Sequence, residues 1–278
     1  NGSHTPLPAP PDGAAGNSRR RERMPTGGTR CWLLPTSLAA AVTIARKQKE
    51  LHMLGWATGW SGPVAELNAQ TVLELGDKVK LRSRAERVGV LEALPQHWTD
   101  ASQATYPCML KSAVGEHGQG VSIMRSSDDL GAWEAGTTSV LQELVPGHVE
   151  WSTSLVVYGG VILDLIATVY TFEEAVYVWP RVKEATHRRR FCDAVPRAHL
   201  DVMTTLLIGF SGICNFNYKV RADGRIAIFE CNPRVGADVA CDIPRARARA
   251  LFERLRARLP RRQVSEMVEE NRQQGGIK

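Results

Sequence analysis

Apolar positions along the chain follow two rhythms. Through residues 36–95 the spacing is helical. "TSLAAAVTIARKQKEL" offers Thr36 or Ser37 as the side-chain acceptor for the first free amides of a helix. "SGPVAELNAQTVLELGDKVKLRSRAERVGVLEALP" predicts one or two helices, with Gly89 and Pro95 closing the second. From residue 106 the period shortens towards two. "YPCMLKSAVGEHGQGVSIM" reads as strand, glycine-rich loop and strand, and "TTSVLQELVPG" as a strand that ends in a turn. "VEWSTSLVVYGGVILDLIATVYTF" alternates about Gly159-Gly160, and "ICNFNYKVRADGRIAIFECN" alternates about Asp223-Gly224, so each predicts a β-hairpin. Between these lie "SSDDLGAW", a helix start with a serine cap and an acidic first turn, and "PRAHLDVMTTLLIGFSG", a helix. The last helical stretch, "PRARARALFERLRARLPRR", places Leu251, Phe252, Leu255 and Leu259 on one stripe among arginines.

Composition narrows the class. Of the 278 residues, 43% are hydrophobic and 23% charged, which suits a globular chain with a sizeable core. No apolar run reaches the roughly 18 residues that a membrane span needs, so no membrane role is expected. The net charge of +6 is carried by the ends. Residues 1–30 hold five Arg against Asp12 and Glu22, or +3; residues 245–278 hold nine Arg and one Lys against four Glu, or +6; residues 31–244 are left at −3. A dedicated nucleic-acid binder would carry its basic stripe on the folded body, so this distribution disfavours nucleic acid as a partner. The Arg-rich C-terminal helix reads as a docking or solvated helix. Six cysteines (Cys31, Cys108, Cys192, Cys214, Cys231, Cys241) show no metal-ligand spacing and read as reduced thiols, which points to a cytoplasmic setting. Residues 1–29 are rich in Pro, Gly, Ser and Arg, lack an initiator Met, and are expected to be a disordered tail or tag; their arginine bias also fits an organelle-targeting segment.

Two segments carry candidate chemistry. In "KSAVGEHGQG", Lys111 closes an apolar strand and Gly115, Gly118 and Gly120 follow. Glycines let backbone amides approach an anion, and a lysine adds a point charge. The spacing is neither a P-loop nor a dinucleotide fingerprint, and on its own the loop reads as a flexible turn as readily as a phosphate cradle. In "RIAIFECNPRVG", strand alternation puts Glu230 and Asn232 on one face and turns Cys231 to the other. A carboxylate and an amide oxygen are hard ligands suited to Mg2+, and Arg234 can fork onto a phosphate. A surface Glu followed by an Asn-Pro turn is an equally good reading of that segment alone.

Together these segments resemble the ATP-grasp superfamily, which includes biotin carboxylase and D-alanine–D-alanine ligase. Four stretches match in order, across about residues 75–244: "LGDKV", "YPCMLKSAVGEHGQGVSIM", "VLQELVPGHVEW" and "GICNFNYKVRADGRIAIFECNPRVG". The resemblance implies an α+β fold in which two small subdomains with antiparallel sheets clasp ATP. It places a truncated α/β region at 30–74 and the ATP-grasp domain at 75–244, with a lid of about 101–145 and a metal-binding subdomain of about 146–244. A basic helix and tail follow at 245–278. By the same resemblance Lys78 and Lys111 face the ATP phosphates, Gly115, Gly118 and Gly120 cover them, and backbone groups of Glu143, Leu144 and Val145 read the adenine edge. Gln142 stands where relatives often have Glu, and Glu150 accepts the ribose hydroxyls. Glu230, Asn232 and Asn217 hold Mg2+, or Mn2+ in its place. Arg234, with Lys111, acts catalytically on the transferred phosphoryl group.

Two departures stand out. Asn217 occupies a position where relatives usually have Asp or Glu, which weakens one metal site; Asn215, two residues earlier on the same face, could assist. The region before Lys78 is short, which bears on substrate binding. The implied reaction joins a small-molecule carboxylate to an amine through an acyl-phosphate, with a non-catalytic ATP-binding pseudo-ligase acting as an interaction module as the alternative. A homodimer is compatible with the sequence, which does not fix the oligomeric state. His187 and Arg188–Arg190 read as a solvated loop, and Lys219 is left without a role.

Overall fold

A computed structural model describes residues 32–257, apart from 55, 59–64, 116–117, 132, 137 and 186–188. The described chain begins with β1 (Trp32–Leu33), α1 (Leu38–Arg46), α2 (Gln48–Met53) and β2 (Ala57–Thr58), with β1 and β2 paired in parallel. Ser37, one of the two expected caps, accepts from the Ala40 amide at 3.1 Å. Two helices follow, α3 (Ala65–Gly76) and α4 (Lys78–Arg87). Asp77 separates them because its carboxylate accepts from the Val79 and Lys80 amides, at 3.0 and 3.3 Å, and so starts the second helix anew.

Two antiparallel sheets carry the rest. Strands β3 (His97–Trp98), β4 (Cys108–Ser112), β5 (Val121–Met124) and β6 (Ser139–Glu143) form a four-stranded sheet in the order β3-β6-β4-β5. The larger sheet holds β7 (Val149–Tyr158), β8 (Val161–Thr171), β9 (Arg190–Cys192), β10 (Gly212–Val220) and β11 (Ile226–Asn232), in the order β11-β10-β7-β8-β9. Both expected hairpins are present, β7–β8 turning at Gly159-Gly160 and β10–β11 about Asp223-Gly224. Helix α5 (Arg197–Leu206) precedes β10, and α6 (Arg245–Ala257) follows β11.

Alternation divides the large sheet into an apolar and a polar face. Leu155, Val157, Cys214, Phe216, Tyr218, Ile228 and Cys231 are buried in one core with residues of α1, α3, α4 and α5. On the opposite face, Val156, Ile166 and Ile213 pack under Leu251 of α6, with Phe252 at the margin. Beyond that patch the same face turns polar, with Glu150, Ser152, Ser154, Tyr170, Asn215, Asn217 and Lys219 in adjoining registers. Leu255 and Leu259 of the expected stripe lie outside the residues whose side chains are described. One expected helix is reduced: at Ser127–Leu130 the chain makes only a single 3-10 turn, closed by a reciprocal Ser126–Asp129 capping box. No helix among the described residues is long and apolar enough to cross a membrane.

Arg84 ties helix to helix from inside. It is 5% exposed, donates through Nε to the Leu206 carbonyl at 2.7 Å and through Nη2 to the Ile208 carbonyl, and pairs with Glu74 at 2.7 Å. Burial raises the Glu74 carboxyl, but Arg84 and Arg87 outweigh it and hold the group below the usual range. The α3–α4 pair is thereby fixed against the end of α5.

Candidate nucleotide and substrate cavity

A cavity of about 420 Å³ lies between the two sheets. Its walls take in every residue singled out from the sequence as a nucleotide or metal contact except Gly120. Gly120 belongs instead to the base of the β4–β5 hairpin, where its carbonyl accepts from the Ser112 amide at 3.0 Å. Glu116 and His117 of the same loop lie outside the described residues.

One end of the cavity gathers cations around a single carboxylate. Lys78 starts α4, and its backbone amide donates to the Ala113 carbonyl at 2.9 Å, which pins the helix N-terminus to the end of β4. Helix N-termini favour negative charge, so Lys78 adds to a pre-existing positive end. Lys111 lies on the same face of β4 as Met109, opposite Val140 and Val121, and its ammonium stands 5.0 Å from the Phe229 ring centroid. Burial lowers the Lys111 pKa to about 8, against the pull of Glu230. Lys78 Nζ reaches Glu230 Oε2 at 3.4 Å. The amides of Asn217 and Asn232 both donate to Glu230 Oε1 at 3.1 Å, and Arg234 Nη2 donates to Asn232 Oδ1 at 3.1 Å. Burial would raise the Glu230 carboxyl, but Lys78, the Asn232 amide, Lys111 and Asn217 together keep it below its ordinary value.

The residues fit one Mg2+ better than two. Glu230 is the one carboxylate at this point of contact, with the side-chain amides of Asn217 and Asn232 donating to it, and no group of three or more His, Cys, Asp and Glu that could hold a metal is found among the described residues. Mg2+ keeps several waters and takes much of its shell from phosphate, so one carboxylate with Asn217 and Asn232 beside it is a workable protein share.

A bulge sharpens the site. Asn217 pairs with Glu230 while Tyr218 pairs with Ile228, so Phe229 is an extra residue on β11. The bulge leaves Glu230 and Asn232 on the cavity face, with Cys231 buried behind them, and brings Phe229 to the cavity as well.

The other walls come from residues 142–145, at the end of β6, and their partners. Glu143 is held by a bidentate Arg221 and by the Gln96 amide at 3.1 Å; the first of these, opposed by burial, keeps its carboxyl low. Its side chain therefore ties the small sheet to the β10–β11 hairpin, leaving the 143–145 backbone along the cavity. Glu150 accepts from the Tyr177 hydroxyl at 2.6 Å, and its pKa is raised by burial. Lys219 donates to the Val145 carbonyl at 3.1 Å, stands 4.2 Å from the Tyr177 ring centroid, and has its pKa lowered to about 8 by burial. It lies two residues from Asn217 on the same face, a placement that the alternation already contained. Gln142 is 1% exposed, and its Oε1 has no partner among the described residues.

Across the mouth, Gly118 closes on residue 179. Its φ is +71°, and a Cβ there would stand 1.9 Å from the Trp179 carbonyl oxygen. Arg181 Nη2 adds a bond to the Val121 carbonyl at 3.2 Å. The solvated-loop reading of Arg188–Arg190 is corrected at Arg189, which lines the cavity, packs over Tyr170 and bridges Glu184 and Asp242. His187 and Arg188 lie outside the described residues. Tyr177, Arg189, Asp238 and Asp242 escaped the motif reading because none belongs to a motif; their positions arise from loops that fold back over the sheet.

No family model matches the chain, and no curated protein matches it. Solved structures do. D-alanine–D-alanine ligase from Bacillus anthracis aligns at a TM-score of 0.49 and 16% identity, covering 81% of this chain and 76% of that one. Biotin carboxylase from Campylobacter jejuni aligns at 0.47 and 12%, covering 72% and 48%. N5-carboxyaminoimidazole ribonucleotide synthetase from Thermotoga maritima aligns at 0.44 and 16%, covering 69% and 49%. The chain thus spans about half the length of the latter two.

Proposed function

We propose that this cavity binds ATP and that the chain is an ATP-grasp ligase, joining a carboxylate to an amine through an acyl-phosphate. The observation that carries the reading is the convergence of Lys78, Lys111, Glu230, Asn232 and Arg234 at one end of a cavity whose other wall is the 142–145 hinge. Phosphoryl transfer needs little covalent help from a protein; it needs phosphates held in line and their charge compensated. Lys78 and Lys111 supply two compensating charges, and Arg234 a third, beside Glu230. Glu230, with Asn217 and Asn232, would hold one Mg2+, which would supply further charge compensation for the phosphates.

The protein's own groups do the rest. The 143–145 backbone, fixed by the Glu143–Arg221 pair and by Lys219, offers the base an ordered edge. Glu150, oriented by Tyr177, is placed for a ribose hydroxyl. The glycine loop, seated on residue 179, shields the phosphates from water. Titration calorimetry with Mg-ATP tests the reading directly: micromolar binding that Lys111→Ala weakens at least tenfold supports it, and no binding by the unaltered protein refutes it. The pseudo-ligase reading draws on Asn217, since a neutral amide at that point leaves Glu230 as the one carboxylate there. ADP release that depends on a carboxylate and an amine would count against it; tight binding without turnover would favour it.

A further inference from the structure

Phe229 is the extra residue of β11, and its side chain is put to use. Asn217 pairs with Glu230 and Tyr218 with Ile228, so Phe229 sits between two ladder positions without one of its own. Strict alternation from Ile226 and Ile228, both buried in the core, would send Glu230 inward with them. The bulge turns Glu230 to the cavity and leaves Phe229 beside it on the same wall. β11 is an edge strand of the large sheet, and bulges at sheet edges commonly re-aim a side chain towards a site.

What the ring meets there is a cation. Lys111 comes from β4 of the small sheet, and its ammonium lies over the Phe229 ring, 5.0 Å from the centroid, so the contact joins the two sheets across the cavity. The three lysines that line the cavity spend their donors differently. Lys78 Nζ stands 3.4 Å from Glu230 Oε2. Lys219 also lies over a ring, that of Tyr177, but donates to the Val145 and Ala175 carbonyls at 3.1 and 3.5 Å. Lys111 Nζ has no hydrogen-bond or ion-pair partner among the described residues. Glu230 and Glu150 attract it from a distance while Lys78 and Lys219 repel it. A lysine stem is flexible and its head strongly hydrated, so an unheld ammonium swings to the nearest carboxylate or to open water. A ring face attracts the cation without using any of its three N–H donors.

We propose that Phe229 is a positioning residue for Lys111: its ring holds the ammonium at the phosphate end of the cavity, off Glu230, with all three donors left for the oxygens of an anionic ligand. An aliphatic side chain at this point would give the wall similar apolar bulk and leave the lysine unheld, so the ring is what the site uses. The role rests on the nucleotide reading of the cavity, which supplies the phosphate.

Two readouts test it on the full chain. The first needs no ligand. In protein labelled with 13C-lysine, the Lys111 ε-methylene signal, assigned by its loss in Lys111→Arg, is expected upfield through the ring current. It should stay there in Phe229→Tyr and return to the ordinary lysine position in Phe229→Leu. The second is titration calorimetry with Mg-AMP-PNP. Phe229→Leu is expected to weaken binding about tenfold, within the reach of a desolvated cation–π contact, while Phe229→Tyr, which restores the ring, stays within about threefold of the unaltered protein. Phe229→Met is the second ringless variant, and circular dichroism checks that each variant keeps the fold. An ordinary Lys111 signal in the unaltered protein, ringless variants that bind as tightly as it does, or a loss that Tyr shares with Leu and Met overturns the role and leaves the nucleotide reading standing. No binding of Mg-AMP-PNP by the unaltered protein sinks that reading instead, and the role with it, whatever the lysine signal shows.

Discussion

Lys78 Nζ lies 3.4 Å from Glu230 Oε2, joining the first residue of α4 to the end of β11 across 152 positions of sequence. Under the proposed reading of the cavity, the lysine serves phosphate and the carboxylate a metal, and each pairs with the other in the ligand-free protein. Glu230→Gln removes the metal's carboxylate and leaves the cations unopposed. Affinity for metal-free nucleotide is therefore expected to rise or hold, while the gain from added Mg2+ shrinks at least tenfold, about 1.4 kcal/mol. Calorimetry with ATP, with and without Mg2+, reads both numbers; an unchanged Mg2+ response would remove Glu230 from the metal site.

Burial sets Lys111 at about 8 instead of its ordinary value, so the empty cavity loses this charge as pH rises through that point. A bound phosphate favours the protonated amine, and binding above pH 8 must take up a proton. Nucleotide affinity should accordingly fall between pH 7.5 and 9.5. Lys111→Arg, whose guanidinium stays charged, should push most of that fall to higher pH. Lys219 also titrates near 8 and should leave a smaller residual slope.

Gly118→Ala places a methyl against the Trp179 carbonyl in a backbone region that disfavours side chains. The loop must shift off its seat. Nucleotide dissociation measured by stopped flow should speed up about tenfold, consistent with 1–3 kcal/mol of local strain. The thermal midpoint should change little, because the loop adds little to either core.

Arg84→Ala strips partners from the Leu206 and Ile208 carbonyls and from Glu74 together. Leaving a buried ionic partner uncompensated costs about 3–5 kcal/mol. Urea denaturation should show a loss of that order, far above that of Arg87→Ala at the exposed side of the same glutamate.

Asp238 is raised to about 6, chiefly by burial, against its ordinary 3.8. Its folded pKa exceeds its unfolded one, so the native state holds the proton more tightly. The contribution of Asp238 to stability is greatest below pH 4 and declines as pH rises to about 6, by about 3 kcal/mol. The difference in urea midpoint between Asp238→Asn and the unaltered protein should therefore move in the variant's favour across pH 4–6 and flatten above it.

The alternation of β10 and β11 was legible because the period of a strand is local: Glu230 and Asn232 share a face whatever packs on them. The Phe229 bulge was not, since an extra residue shows only against the register of the partner strand. "SSDDLGAW" carried a true cap but too short an apolar stripe to sustain a helix, and it stopped after one 3-10 turn. Gly120 looked like part of a phosphate loop because spacing does not reveal which glycine turns the hairpin and which covers the cavity.

By itself the sequence determined the two hairpins, the helix start at Thr36 or Ser37, and the residue types that make a phosphate and metal site plausible. All of these depend on neighbours within a few positions. The tertiary structure decided how those parts meet: that Asn217 donates to Glu230 from across the hairpin, that Lys219 donates to the Val145 carbonyl, and that Arg189, Asp238 and Asp242 line the cavity. Those relations join residues 13 to 84 positions apart, and only the packing of the sheet, its loops and its helices brings them within hydrogen-bonding reach.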